Sequence, residues 1–287
     1  MSVYNRFYGF KENTFHQTPD SSFFFASLKH QTALDALVYA VKQRKGFVVL
    51  TGEVGSGKTT LGRKLLRHLG PDMKTAIINH TSLTPKGVLT LILEDLDIDY
   101  RDGSKTSLLL QLNEYLISQA RQDKNVILMI DEAQNLSFEC LEEVRMLSNL
   151  ETEKEKLIQI ILMGQPELRK KLDSPKLEQL RQRVAISYHL QPLGLDESRD
   201  YVFHRLTLAK DKASERDVKT LFDAASFEII YQYSQGLPRL INRLCDHALL
   251  TGFVQNSEVI KSSMVTEAAE ELHSKQEKKH EQIYQSA

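Results

Sequence analysis

Cysteine is scarce in this chain, with two in 287 residues. A disulfide framework is thereby excluded, and no histidine or cysteine spacing resembles a metal site. Cys140 and Cys245 lie far apart in segments of helical pattern and read as buried thiols of a reducing compartment. No stretch approaches the ~18 apolar residues that a membrane helix needs. Met1-Ser2-Val3-Tyr4-Asn5-Arg6 lacks the apolar run of a signal peptide. Charge of one sign is also missing, since 37 Lys and Arg stand against 38 Asp and Glu. There is no global basic excess to point to nucleic acid, although a local basic patch stays open. Internal repeats are absent. The expectation is a cytoplasmic globular protein of ordinary balance, 41% apolar and 26% charged, long enough for one large domain or two ordinary ones.

What the chain does contain is Gly52-Glu53-Val54-Gly55-Ser56-Gly57-Lys58-Thr59, a phosphate-loop pattern G-x-x-x-x-G-K-[ST]. It follows the apolar run Phe47-Val48-Val49-Leu50, which reads as a buried strand, and it opens a helical segment near Thr60. Strand, loop and helix are the context the chemistry requires. Glycines let backbone N–H groups curl around phosphates, and the helix N-terminus adds partial positive charge. Lys58 can then reach the β- and γ-phosphates while the Thr59 hydroxyl ligates Mg²⁺. The pattern predicts binding of a nucleoside triphosphate.

Residues 1–26 are rich in aromatics without periodicity: Phe7, Tyr8, Phe10, Phe15, Phe23, Phe24 and Phe25. Pro19-Asp20 reads as a turn among them. An amphipathic helix is expected over about 27–44. Further strand-like runs are 75–78, 126–130 and 158–163, with a weaker one at 185–190. Helical patterns separate them at about 60–69, 85–96, 106–122 and 137–150. Near-continuous apolar strands alternating with helices predict an α/β domain over 27–192, with a parallel five-stranded sheet covered by helices. From Asp196 to about Leu272 only helical periodicity is found, broken at Gly236-Leu237-Pro238, which predicts a small all-helical domain over 193–273. The polar tail 274–287 reads as frayed helix or disorder.

Asp131-Glu132 closes the run Val126–Ile130 at the edge where open α/β sheets bind ligands. Asp131 is the candidate to hold Mg²⁺ with Thr59, and Glu132 the candidate base for the water that attacks the γ-phosphate. Gln165 follows the next strand and would lie beside Glu132 if the two strands are neighbours. It reads either as a sensor of the γ-phosphate or as a polar cap on the helix begun by Pro166. Arg181 and Arg183 precede the fifth strand in a basic region that includes Arg169, Lys170, Lys171 and Lys176. Either could be a solvated helix residue or an arginine offered to a neighbouring subunit's phosphates, with Arg183 preferred. Arg239 stands at the mouth of a helix opened by Pro238 and is a candidate phosphate contact. Asn79 and His80 close the second strand. They read as a turn, with Asn79 the alternative restraint on Glu132.

Together these residues resemble an AAA+ ATPase, an α/β nucleotide domain followed by a helical lid. The blocks Phe7-Tyr8-Gly9-Phe10, Ile130-Asp131-Glu132-Ala133-Gln134, Gly164-Gln165-Pro166-Glu167-Leu168, Leu180-Arg181-Gln182-Arg183-Val184 and Gly236-Leu237-Pro238-Arg239-Leu240 sharpen the match. They resemble the ATPase modules of the general secretion pathway protein A family, with relatives in pilus biogenesis and exopolysaccharide export. The resemblance spans about residues 4–272. It implies ATP and Mg²⁺ as cofactors, hydrolysis in a homo-oligomeric ring or ATP-dependent dimer, Arg239 as second sensor and Gln165 in the first sensor's place. It also implies that the N-terminal aromatics lie near the adenine.

Members of that family often continue into a membrane helix and a peptidoglycan-binding domain, which this sequence does not reach. The expectation is therefore an envelope-machine partner that recruits the chain to the inner membrane, in a pilus or export role. Two other readings stand beside it. One is a transposition-regulator ATPase assembled on DNA, and the other a nucleotide-gated scaffold with little turnover.

Overall fold

Five runs dominated by Val, Ile and Leu form strands β1 (Phe47–Gly52), β2 (Lys74–Ile78), β3 (Val126–Ile130), β4 (Gln159–Gly164) and β5 (Val184–Leu190). The computed structural model describes residues 2–70, 73–79, 83–153 and 155–285. It divides into two compact units, Leu28–Glu53 with Lys58–Gln191, and Met1–Ser27 with Val54–Gly57 and Pro192–Ala287.

In the first unit the strands make one parallel sheet in the order β2-β3-β4-β1-β5. Every residue of β1, β3 and β4 is buried, whereas the edge strands β2 and β5 are only partly so. This is why the central strands read as unbroken apolar runs: both faces are covered, so no side chain needs to meet water. One face packs against helices Pro85–Asp95, Lys105–Ala120 and Phe138–Leu147 through Leu89, Ile92, Leu112, Leu116, Leu128 and Ile160, all fully buried. Helices Leu28–Lys42 and Lys58–Leu69 contact the sheet through β5, β1 and β4. Gly62 lets the second of these lie close, since a Cβ there would meet the sulfurs of Met163 and Met129 at 3.0 and 3.1 Å.

Helix starts follow local chemistry. Thr84, Ser104 and Ser137 cap three of the helices by accepting from the backbone N–H three residues on. The five strands and the helices expected between them begin and end within about three residues of the sequence expectation.

The second unit is helical, built on Leu195–Ala209, Ser226–Ser234, Pro238–Val254 and Ser262–Gln285. The last of these runs on through residue 274, so the backbone of the polar tail is helical to Gln285. The N-terminal aromatics belong to this unit's core. Tyr4, Tyr8, Phe10, Phe15 and Phe23 are buried with Val202, Leu206, Leu244 and Leu249. Their polar handles are satisfied there. Tyr4 donates its hydroxyl to Asp246, and Tyr8 reaches the carbonyls of Leu249 and Ser257 at 3.3 and 3.2 Å. Burial and the Asp246 carboxylate push the Tyr4 phenol well above its ordinary range. Arg205 donates to the Thr14 carbonyl at 2.8 Å and stacks 4.5 Å over the Phe23 ring. Cys140 and Cys245 are both buried and free, one in each unit.

Gly236 is the turn on which the helical unit depends. Its φ is +73°, and a Cβ there would stand 1.9 Å from the Leu193 carbonyl oxygen, while the Leu193 N–H donates to the Gly236 carbonyl at 3.0 Å. Gly236→Ala is expected to cost about 2–4 kcal/mol, read as a lower thermal midpoint. An unchanged midpoint would contradict this account of the turn.

Candidate nucleotide site

β1 ends at Gly52 and the helix begins at Lys58, so the loop between them is anchored at both ends. Gly55 and Gly57 have φ of +81° and +100°, the left-handed region that lets successive N–H groups turn inward. Gly55 meets a second demand within the helical unit. The Arg239 N–H donates to its carbonyl at 3.2 Å, and a Cβ at residue 55 would lie 2.5 Å from the Arg239 Cβ. Arg239, in the first turn of Pro238–Val254, is thereby joined to the loop itself. Lys58 is buried and its ammonium donates to the loop carbonyls of Gly52 and Glu53 at 2.8 and 3.0 Å.

Asp131 follows β3 at the same sheet edge. It is 6% exposed, and a carboxylate so placed is costly unless hydrogen-bonded. Thr59 Oγ1 donates to its Oδ2 at 2.7 Å, and the Glu132 N–H donates to Oδ1 at 2.9 Å. Thr59 and Asp131 are hard oxygen donors side by side, the pair that suits Mg²⁺ completed by phosphate and water oxygens. Among the described residues no group of three or more His, Cys, Asp or Glu forms a metal cluster, so a self-contained protein cage is not in view.

β3 and β4 are neighbours, as the Gln165 expectation required. The Gln165 side chain does not cap its helix. Its Nε2 donates to Glu132 Oε2 at 3.0 Å, and Gln134 Nε2 donates to the same oxygen at 2.6 Å. Glu132 itself has a left-handed backbone, φ 51°. Asn79 is exposed at the end of β2, and His80 lies outside the described residues.

Arg183 stands at the opposite sheet edge. The next residue, Val184, pairs with Phe47, the first residue of β1. Along the strand, at about 3.3 Å per residue, that is about 17 Å from the loop. Arg183 Nη1 donates to Ser148 Oγ at 2.8 Å, and Ser148 Oγ donates to the Arg145 carbonyl at 2.7 Å. These residues line a cleft of about 610 Å³ with Lys45, Lys156 and Gln182. Arg145 also holds the Glu142 carboxyl below its usual range through a hydrogen bond. Arg181 is different: its side chain is half exposed and pairs with Asp173 at 3.7 Å. The structure therefore gives the two arginines different surroundings, where the sequence reading only prefers Arg183. Gln134, Ser148 and Arg145 were given no role from sequence, because their contacts are made by residues distant in the chain or by a turn whose shape the sequence does not announce.

Residues 41–172 match the family model described as AAA domain. General secretion pathway protein A of Aeromonas hydrophila is 37% identical over 271 residues, covering 94% of this chain and 48% of that protein. The chain thus spans about half the length of that relative. Among solved structures, the Aeropyrum pernix ORC2 protein in ADPNP-ADP complexes aligns with a TM-score of 0.68 at 15% identity, over 91% of this chain and 72% of that one. Cdc6p from Pyrobaculum aerophilum aligns with a TM-score of 0.63 at 18% identity, over 84% and 68%. Such identities speak for the fold alone, a parallel five-stranded sheet flanked by helices and followed by a helical unit.

Lys58→Ala is expected to weaken nucleotide binding at least about tenfold, through loss of the charged contact to phosphate. Titration with a fluorescent ATP analogue measures this, and equal affinity in variant and wild type would refute the placement of the site.

Proposed function

We propose, from the match of residues 41–172 to the AAA domain model, that the chain belongs to that family and is a Mg-ATP hydrolase acting as a homo-oligomer in a bacterial envelope system. The observation that carries the reading is the run of groups along one sheet edge, with Lys58 and Thr59 after β1, Asp131 and Glu132 after β3, and Gln165 after β4. In this reading the loop N–H groups and Lys58 bind the β- and γ-phosphates. Thr59 and Asp131 would hold Mg²⁺, whose charge offsets that of the phosphate oxygens. Glu132 takes a proton from water as its oxygen attacks the γ-phosphorus and the bond to the β–γ bridging oxygen breaks. Gln165 reads the γ-phosphate from beside Glu132, and the second-sensor role that the family likeness implies falls to Arg239.

Arg183, at the far edge of its own sheet, serves the site of a second copy, where its planar fork neutralises charge on the transferring phosphoryl group. Arg181, drawn off to Asp173, is the weaker candidate. The envelope role rests on the likeness to a secretion-pathway relative. Recruitment to the inner membrane by a partner belongs to the same reading.

Steady-state ATPase rate against protein concentration, with and without double-stranded DNA, tests the proposal. Specific activity is expected to rise with concentration, and Glu132→Gln to lower turnover about 10²–10⁴-fold while ATP binding survives. Arg183→Ala is expected to lose about 10³-fold, and mixing it with Lys58→Ala is expected to restore part of that loss, because one variant supplies the loop and the other the arginine. A rate independent of concentration, with no restoration on mixing, would refute action between subunits. Stimulation by DNA would favour a nucleic-acid-assembled ATPase instead.

A further inference from the structure

Gln134 is held on every side, yet nothing in the chemistry above uses it. Its Nε2 donates to Glu132 Oε2 at 2.6 Å and its Oε1 accepts the Gln165 backbone N–H at 3.1 Å. A carboxylate only accepts and an N–H only donates, so these two partners fix which end of the amide is which. The Gln134 backbone is held as well. Lys171 Nζ donates to the carbonyls of Gln134 and Leu136 at 2.8 and 2.6 Å, fastening the turn Ala133–Asn135 to the helix Pro166–Leu172. Residue 164 makes room for this arrangement by being glycine, since a Cβ there would lie 2.7 Å from Gln134 Oε1. The left-handed backbone of Glu132 turns the chain so that residue 134 folds back beside it.

We propose that Gln134 is the positioning residue for Glu132. The inference rests on reading Glu132 as the residue that activates water. The two amides on Glu132 Oε2 are not equivalent. Gln134 is fixed through its side-chain oxygen, its backbone carbonyl and the missing side chain at 164, and it makes the shorter bond to the carboxylate. Gln165 makes the longer bond from the first position before a helix. Gln134 is therefore the permanent support, and Gln165 the partner that a γ-phosphate draws away. Oε2 keeps an amide donor through that exchange because Gln134 does not move.

Two variants and one spectroscopic signature test this in the full chain. Gln134→Ala is expected to lower kcat about ten- to a hundredfold, the scale of a displaced catalytic group, with affinity for the β,γ-imido analogue of ATP within about twofold of wild type. Gln134→Glu keeps the shape and the acceptor for the Gln165 N–H but replaces the donor with a second carboxylate, and is expected to lose at least as much. In the resting protein, Glu132→Gln is expected to move the side-chain amide resonances of both Gln134 and Gln165, whereas adding the imido analogue with Mg²⁺ is expected to move mainly that of Gln165. The proposal is overturned if Gln134→Ala keeps kcat within twofold, if its loss of kcat is matched by an equal loss of analogue affinity, or if the Gln134 amide ignores Glu132→Gln. The amide measurement needs no turnover, so an inactive wild type would count against hydrolysis and leave this contact to be judged by its own readout.

Discussion

The hydrogen bond from Thr59 to Asp131, 2.7 Å long, joins residues 72 positions apart that follow two strands that are not neighbours. β4 lies between β3 and β1, so the contact must bridge the end of an intervening strand. It forms only because every strand of the sheet runs in one direction and all the C-terminal ends fall on one edge. An antiparallel arrangement of the same apolar runs would send Asp131 and Glu132 to the opposite side from Lys58 and Thr59. Burial raises the stakes. Asp131 follows five residues buried on both faces, and its charge is tolerable there because Thr59 and the Glu132 N–H supply donors.

The same directionality gives the sheet a second chemical edge. Before β5, Arg183 is held by Ser148, whose own proton is committed to the Arg145 carbonyl, so the serine offers the guanidinium a fixed acceptor. A cleft with Lys45, Lys156 and two arginines faces outward at this end. An arginine so far from its own loop along β1, and so deliberately supported, is the physical basis for placing it at the site of another copy.

The helical unit solves a different problem. Four helices with one apolar stripe each leave a core to be closed, and the aromatics of the N-terminal segment close it. These residues show no helical or strand period because they fill space offered by helices some two hundred positions away. Their hydroxyls and carbonyls find partners in the same unit, through Asp246, Leu249, Ser257 and Arg205.

What the sequence determined by itself was whatever short-range chemistry controls. Apolar runs bounded by turns located the five strands, periodicity located the helices, and glycine spacing before Lys58 located the phosphate loop. Asp131 and Glu132 were legible because a strand end fixes where the next two residues emerge. Strand order was not, because it depends on which buried faces pair. Without that order Gln165 could be either a helix cap or a neighbour of Glu132, and β3 pairing with β4 was needed to bring them together. Gln134 was invisible for the same reason: its partners are the left-handed turn at Glu132, the bare backbone of Gly164 and an ammonium 37 residues on. The preference for Arg183 over Arg181 had no physical ground until Ser148 and Asp173 took up their places. Periodicity and spacing act within a few residues, whereas these contacts are made between chain segments that packing alone brings to bonding distance.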